Sequence, residues 1–176
     1  MARELGYEPF MTDEDIKIIE QELFSRKDID ILEWGAGGST THFAGLLTGK
    51  SINFRWDALE YNKSWYEIIR CKHLKNVYLY CFPEPRWERR HLLKQKMDAF
   101  VTFPRFLHET TGRTWDVIFV DGRKRVRCMK EAVDLLNPNG IIFLHDCDRD
   151  DYKPGMDLFD GEKLTRKLWK GKLKSQ

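Results

Sequence analysis

Long apolar runs are missing from this sequence. No window approaches the roughly 18 uninterrupted apolar residues that a membrane helix requires. The opening MARELGYEPF has neither the basic nor the apolar region of a signal peptide. A soluble, cytoplasmic chain with no membrane partner is the expectation. Cysteine is scarce and scattered: Cys71, Cys81, Cys128 and Cys147 form neither the close pairs of a zinc site nor a small disulfide scaffold. Reduced thiols are therefore expected. Internal repeats, low-complexity tracts and linkers are absent as well. What remains is 176 residues with 41% hydrophobic and 13% aromatic content, enough for one folded unit over residues 1–176 with a sizeable buried core.

Charge is nearly balanced overall, at +2, but unevenly placed. Residues 1–33 hold ten acids against four bases, a local balance of −6 that leaves +8 for the remainder. The bases crowd into RWERRHLLKQK, DGRKRVRCMK and EKLTRKLWKGKLK. Such runs are either solvated helix faces or a cationic surface for an anionic substrate or a nucleic acid.

Strand and helix signals alternate along the chain. TDEDIKIIEQELF carries a capping box at Thr12 and Asp15 and an apolar face through Ile16, Ile19 and Leu23, so residues 1–28 are read as an N-terminal helical segment. DILEW is a buried strand, followed by glycines and a helix through Phe43, Leu46 and Leu47. INFRWDALE is a second strand, and NKSWYEIIRCKHL a helix capped by Asn62. VYLYCF, WDVIFVDG and GIIFLHD are three more strands, and KRVRCMKEAVDLL is a helix ended by NPNG. Pro83, Pro85 and Pro104 are expected to break the segment between the third and fourth strands, leaving RWERRHLLKQKMDAF as a helix between them. The alternation predicts a doubly wound α/β domain: a mostly parallel, Rossmann-like sheet flanked by helices, with its core over residues 29–147.

The glycines concentrate in EWGAGGST, in the first strand-to-helix turn, where bare backbone can approach a ligand closely. Gly35 and Gly37 fit the first two positions of a dinucleotide fingerprint, but Thr40 stands at the third, which disfavours a nicotinamide-dependent oxidoreductase. Two acids frame the loop: Glu33 before it, and Glu60 at the end of the second strand, where a carboxylate can accept both hydroxyl protons of a ribose. The bland alternative is that the glycines form only a tight turn.

ILEWGAGGST, then ALEYN, WDVIFVDG and GIIFLHD, in this order over residues 29–147, resemble the class I S-adenosylmethionine-dependent methyltransferases. The resemblance implies that Glu33, Gly35 and Gly37 line S-adenosyl-L-methionine and that Glu60 holds its ribose. It also implies methyl transfer to an oxygen or nitrogen of an acceptor, most simply a small molecule.

Asp121 ends the fourth strand, and His145 and Asp146 end the fifth, so all three are expected at the ligand edge of the sheet as the catalytic group. His145 is the candidate general base, since its ordinary pKa lies near neutrality; the alternative is a satisfied structural histidine. Asp121 could equally be a turn cap before Gly122. The pattern is similar to small metal-dependent O-methyltransferases, which implies Mg2+ on Asp121 and Asp146, although Cys147 stands where that family carries an asparagine. His42, His73, His91 and His108 read as surface residues, and Asp148–Tyr152 as a polar loop over the same edge.

The 30 residues after Asp146, in a chain of 176, show no clear strand pair. Residues 148–176 are read as a loop and an amphipathic helix through Leu164, Leu168 and Trp169. The sheet is then expected to lack the two closing strands usual in the resembling family. That would leave an exposed edge through which copies could associate. A second functional reading is a non-catalytic cofactor-binding module or partner subunit that uses its basic segments on RNA.

Overall fold

The computed structural model describes residues 8–83 and 90–175, with side chains from 95 onward in the second stretch. Arg86 and Arg89 of the basic run, and the side chain of His91, lie outside those described. Helix α1 (Asp13–Phe24) begins as its capping box dictates: Thr12 accepts from the Asp15 amide and Asp15 from the Thr12 amide, both at 3.1 Å. Strand β1 (Asp28–Trp34), helix α2 (Gly38–Gly49) and strand β2 (Asn53–Glu60) follow. Helix α3 (Lys63–Arg70) starts where the Asn62 side chain accepts the amides of Ser64 and Trp65. Strand β3 (Val77–Cys81), helix α4 (Arg90–Thr111), strand β4 (Trp115–Val120), helix α5 (Arg125–Leu135) and strand β5 (Leu136–His145) complete the parallel part. NPNG does not separate α5 from β5; it forms the irregular start of β5, where the register against β4 shifts between Trp115 and Val117.

The sheet has seven strands in the order β3-β2-β1-β4-β5-β7-β6, with β1 to β5 parallel. One face packs on α1, α2 and α3 through Ile19, Leu23, Phe43, Leu47 and Ile69. There Phe119 lies stacked between Trp56 and Phe143, at centroid distances of 5.6 and 5.4 Å. The other face packs on α4 and α5 through Phe100, Val101, Met129 and Ala132. The order brings the carboxyl ends of β1, β2, β4 and β5 to one edge, and the glycine loop with them.

The C-terminal expectation is overturned. After a short turn (Asp150–Tyr152) and helix α6 (Lys153–Met156), strands β6 (Phe159–Lys163) and β7 (Leu168–Leu173) form an antiparallel pair, with β7 also antiparallel to β5. The spacing of Leu164, Leu168 and Trp169 mimics a helix, but the glycines decide otherwise. A Cβ on Gly161 or on Gly171 would stand 2.2 Å from the Trp169 ring, so both strands are bare where the indole lies across them. The edge of β5 is therefore covered, which removes the expected route to association.

Pro104 was expected to break its segment and instead lies buried inside α4. A proline deprives the carbonyl four residues earlier of its partner. That carbonyl belongs to Phe100, and it accepts the Trp34 indole N–H at 3.0 Å. The helix loses an internal bond and gains a tie to β1.

A buried carboxylate on β2, Asp57, gathers the middle of the sheet. It accepts from Arg55 (3.0 and 3.2 Å), the Tyr80 hydroxyl (3.1 Å) and the Trp115 indole (3.2 Å), with Arg113 at 3.5 Å. No helix among the described residues is long and apolar enough to cross a membrane, and all four cysteines are free. Asp57→Ala leaves two arginines, a phenol and an indole without their acceptor, so chemical denaturation should show a loss of about 3–5 kcal/mol. A loss below about 1 kcal/mol would show that water takes the place of the carboxylate.

Candidate active site

The strand-to-helix turn after β1 is held by backbone: the amides of Gly35 and Ala36 both donate to the Leu59 carbonyl at 2.9 Å. Gly35 has φ +102°, a conformation that L side chains rarely adopt. An added Cβ there would meet the Gly122 nitrogen at 2.5 Å, so the β1–α2 and β4–α5 turns touch backbone to backbone. Gly37 differs, for a Cβ there would meet nothing within 4 Å. Its bare face opens on a cleft of about 160 Å³ lined by Phe10, Gly35, Gly37, Glu60, Trp65 and Asp121.

The two acids framing the loop have separated roles. Glu33 is fully buried and turned inward, accepting the hydroxyls of Ser39 (2.5 Å) and Thr40 (2.6 Å) and the Trp56 indole (3.0 Å). Thr40 in turn accepts the Gly37 amide at 3.0 Å, so the carboxylate braces the loop from beneath through one hydroxyl. Burial pushes its pKa up to about 8, against the lowering effect of the three donors. Glu33 thus belongs to the loop's support and does not line the cleft. Glu60 does line it. Its Oε1 accepts the Asn62 amide at 2.6 Å, and burial, reinforced by the nearby charge of Asp121, raises its pKa to about 7.

Asp121, His145 and Asp146 are brought together as expected, but around an unexpected cation. Arg125, 8% exposed, donates to the carbonyls of Gly122 (3.1 Å), Asp121 (3.1 Å) and His145. Its Nη2 also meets Asp121 Oδ1 at 3.0 Å and Asp146 Oδ2 at 3.1 Å. Asp146 further pairs with Lys167 at 3.1 Å and Arg149 at 3.5 Å, and although burial opposes it, Lys167, Arg125 and His145 hold its carboxyl below the usual range. His145 Nδ1 lies 3.2 Å from Asp121 Oδ1. Burial opposes a charge on this ring, but Asp121 and Asp146 outweigh it and raise the pKa. Nε2 is buried with no hydrogen-bond partner, and the ring borders a small enclosed space shared with Glu33, Phe119 and Phe143, behind Asp121.

These residues do not fit Mg2+. The ligand atoms of Asp121, His145 and Asp146 lie within 4.8 Å of one another, the spacing of a metal triad. A guanidinium already bridges the two carboxylates, and a lysine and a second arginine complete the charge balance. A divalent ion would face the buried Arg125 guanidinium, with Lys167 and Arg149 beside Asp146. Cys147 is no substitute ligand, since it is buried and directed at the Arg166 carbonyl, with its pKa raised by burial. The magnesium expected on Asp121 and Asp146 is therefore withdrawn.

A second and larger cleft, about 890 Å³, opens on the other side of Asp121. Tyr61 and Asp121 border both clefts. Arg149, Asp151 and Tyr152 of the polar loop form its far wall. Of the remaining histidines, His42 contacts Glu20, His108 contacts the Arg113 carbonyl, and His73 is exposed; none reaches the site. The sequence had hidden the role of Arg125 inside a basic run. Its only signal was the spacing of four residues from Asp121, which puts the pair one helical turn apart.

No family model and no curated protein matches the chain. Solved structures do. Human methyltransferase-like protein 13 in complex with SAH is similar with TM-score 0.60 at 13% identity, over 94% of this chain and 84% of that one. Precorrin-6y C5,15-methyltransferase from Geobacter metallireducens gives 0.56 at 16% identity, over 93% and 90%. A putative rRNA-methylase from Clostridium thermocellum gives 0.57 at 10%, over 95% and 100%. The shared feature is the Rossmann-like methyltransferase fold.

Two outcomes are expected. Arg125→Lys should destabilise nearly as much as Arg125→Ala, by about 3 kcal/mol in denaturant titrations, because one ammonium cannot replace a planar fork that reaches five acceptors. The second concerns Glu33. The folded state holds its proton up to about pH 8, whereas the ordinary value is 4.5. The unfolded chain thus binds fewer protons across that window, and stability falls as pH rises through it. Melting temperatures of Glu33→Gln should show a shallower fall between pH 5 and 8 than those of the wild type.

Proposed function

We propose that the chain is a methyltransferase that binds S-adenosylmethionine across the β1–α2 turn and the tip of β2 and passes its methyl group to an oxygen or nitrogen of a small acceptor. The observation that carries this reading is the bare face of Gly37 opposite Glu60: an open backbone cradle with a buried, proton-hungry carboxyl at its far side. Gly35 and Gly37 bring backbone to the methionine portion, and Glu60 accepts the ribose hydroxyls. Glu33 contributes from below, by fixing Thr40 and through it the Gly37 amide.

When bound, the cofactor supplies a methyl carbon made electrophilic by its sulfonium. The acceptor's oxygen or nitrogen bonds to that carbon as the carbon–sulfur bond breaks, the electron pair stays on sulfur, and the acceptor's proton departs. Asp121 borders both clefts and is the group to take that proton. His145 and Arg125, both on Oδ1, hold its carboxylate in place. His145 is thus assigned a positioning role in place of the direct base role that the sequence suggested. Asp146 keeps Arg125 and Lys167 in position. Alignment of the two reactants supplies most of the acceleration, about 7–11 kcal/mol in well-oriented systems.

Calorimetry with S-adenosylhomocysteine tests the reading. The wild type should bind, and Gly37→Val should abolish binding while keeping its melting temperature, because the added side chain meets only the space reserved for the ligand. Glu60 becomes ionised as pH rises through about 7, and only the carboxylate accepts both hydroxyl protons. Affinity should therefore rise between pH 6 and 8 and level off above. Glu60→Gln should bind about 1–3 kcal/mol more weakly and without that slope. A wild type that does not bind overturns the proposal, and binding without a pH slope removes Glu60 from the site.

A further inference from the structure

The larger cleft has a charge and a surface that the cofactor reading leaves unused. Its cations are Arg123, Lys124, Arg127 and Arg149, beside Arg125 in the wall. The acids in the wall are Asp98, paired with Arg127; Asp121, paired with Arg125 and His145; and Asp151. Arg149 in turn pairs with Asp146, so the cations still outnumber the acids. Lys124 has no ion-pair partner among the described residues. Two tyrosines complete the wall, each with guanidinium over its ring: Arg123 above Tyr61 at 5.2 Å, Arg125 and Arg149 beside Tyr152 at 5.2 and 5.8 Å. The cleft is concave and of a volume typical of small-ligand sites.

The backbone adds to the field. Helix α5 starts at this cleft with no side-chain cap and no acid in its first turn, so its amide end adds partial positive charge to the wall. Lys124, just before it, stands at φ +57°, a conformation a non-glycine residue keeps only where its surroundings impose it. The next residue, Arg125, reaches back past it to the Gly122 and Asp121 carbonyls. The strained residue is the one that carries the uncommitted ammonium.

We infer that the larger cleft takes a small planar acceptor bearing a carboxylate or phosphate, with the anion against Lys124 and the start of α5 and the ring against Tyr61 and Tyr152. This deepens the methyltransferase reading and rests on it, since Asp121 borders both clefts. A small acid is favoured over a polyanion because the cations converge on one concavity of about 890 Å³, whereas a strand of nucleic acid needs an extended track of them.

The test uses a matched set of phenols on the full chain saturated with S-adenosylhomocysteine: 4-hydroxybenzoate, 4-hydroxyphenyl phosphate and the neutral 4-hydroxybenzyl alcohol. Either acid should bind at least about tenfold more tightly than the alcohol, a charge-assisted contact being the difference. The ratio of the two acids tells carboxylate from phosphate. Lys124→Asn, which tolerates a positive φ, should remove most of the acid preference and leave both alcohol binding and S-adenosylhomocysteine affinity unchanged. Equal binding of acid and alcohol, or an acid preference that survives Lys124→Asn, overturns the inference. So does a single-stranded RNA 20-mer that binds more tightly than either acid and loses affinity in Lys124→Asn. The two readings fail separately. Retained S-adenosylhomocysteine binding without acid preference sinks only the acceptor class. Loss of the former with acid preference intact in the free protein sinks only the cofactor reading.

Discussion

A buried guanidinium must find an acceptor for every N–H or lose several kcal/mol of hydration uncompensated. Arg125 meets that demand by drawing three carbonyls and two carboxylates around itself. In doing so it joins the end of β4, the start of α5 and the end of β5 into one rigid knot. Much of the candidate site follows from the knot. It holds Asp121 where both clefts meet, adjoins Lys124 and Asp146, both in left-handed backbone, and occupies the place where a divalent ion would otherwise bridge two carboxylates. The chain thereby obtains, from its own side chain, a fixed positive charge beside Asp121 and the larger cleft.

Glu33 and Glu60 show how burial sorts chemically identical groups. Both end strands, both are nearly inaccessible, and both are raised in pKa, yet one is saturated by donors from its own fold while the other sits on the wall of a cleft. The first spends its lone pairs on Ser39, Thr40 and Trp56 and so shapes the turn. The second has backbone partners on one side and the smaller cleft on the other. Their spacing around the glycines gives no hint of this division, which depends on where Trp56 and the α2 hydroxyls fall in space.

The parallel half of the fold was legible because its signals are local. The Thr12 and Asn62 caps, the apolar runs of β1, β4 and β5, and the glycines of the first turn each carry their own physical reason. The misread elements depend on distant partners. Strands β6 and β7 owe their form to the ladder with β5 and to an indole lying over two glycines. Pro104 is tolerated because Trp34, 70 positions earlier in the numbering, takes the orphaned carbonyl. Among the site residues, Gly35, Gly37, Glu60 and Asp121 border the clefts. Glu33 and His145 stand behind them, and the basic run DGRKRVRC conceals one buried knot among exposed neighbours.

The contact between Gly35 and Gly122 carries a historical consequence. Gly35 cannot acquire a side chain while the Gly122 backbone stays where it is, because a Cβ there meets it at 2.5 Å, and a Cβ on Gly122 meets the Gly35 main chain at 3.0 Å, close enough that this backbone must yield. Substitutions at the two are therefore strongly epistatic, and a lineage leaves this pairing only by shifting both turns together. Since one turn borders the small cleft and the other the large one, their geometries are inherited as a unit. Change in the walls of the clefts is channelled away from these two glycines, into the side chains of Arg123, Lys124 and the Arg149–Tyr152 loop.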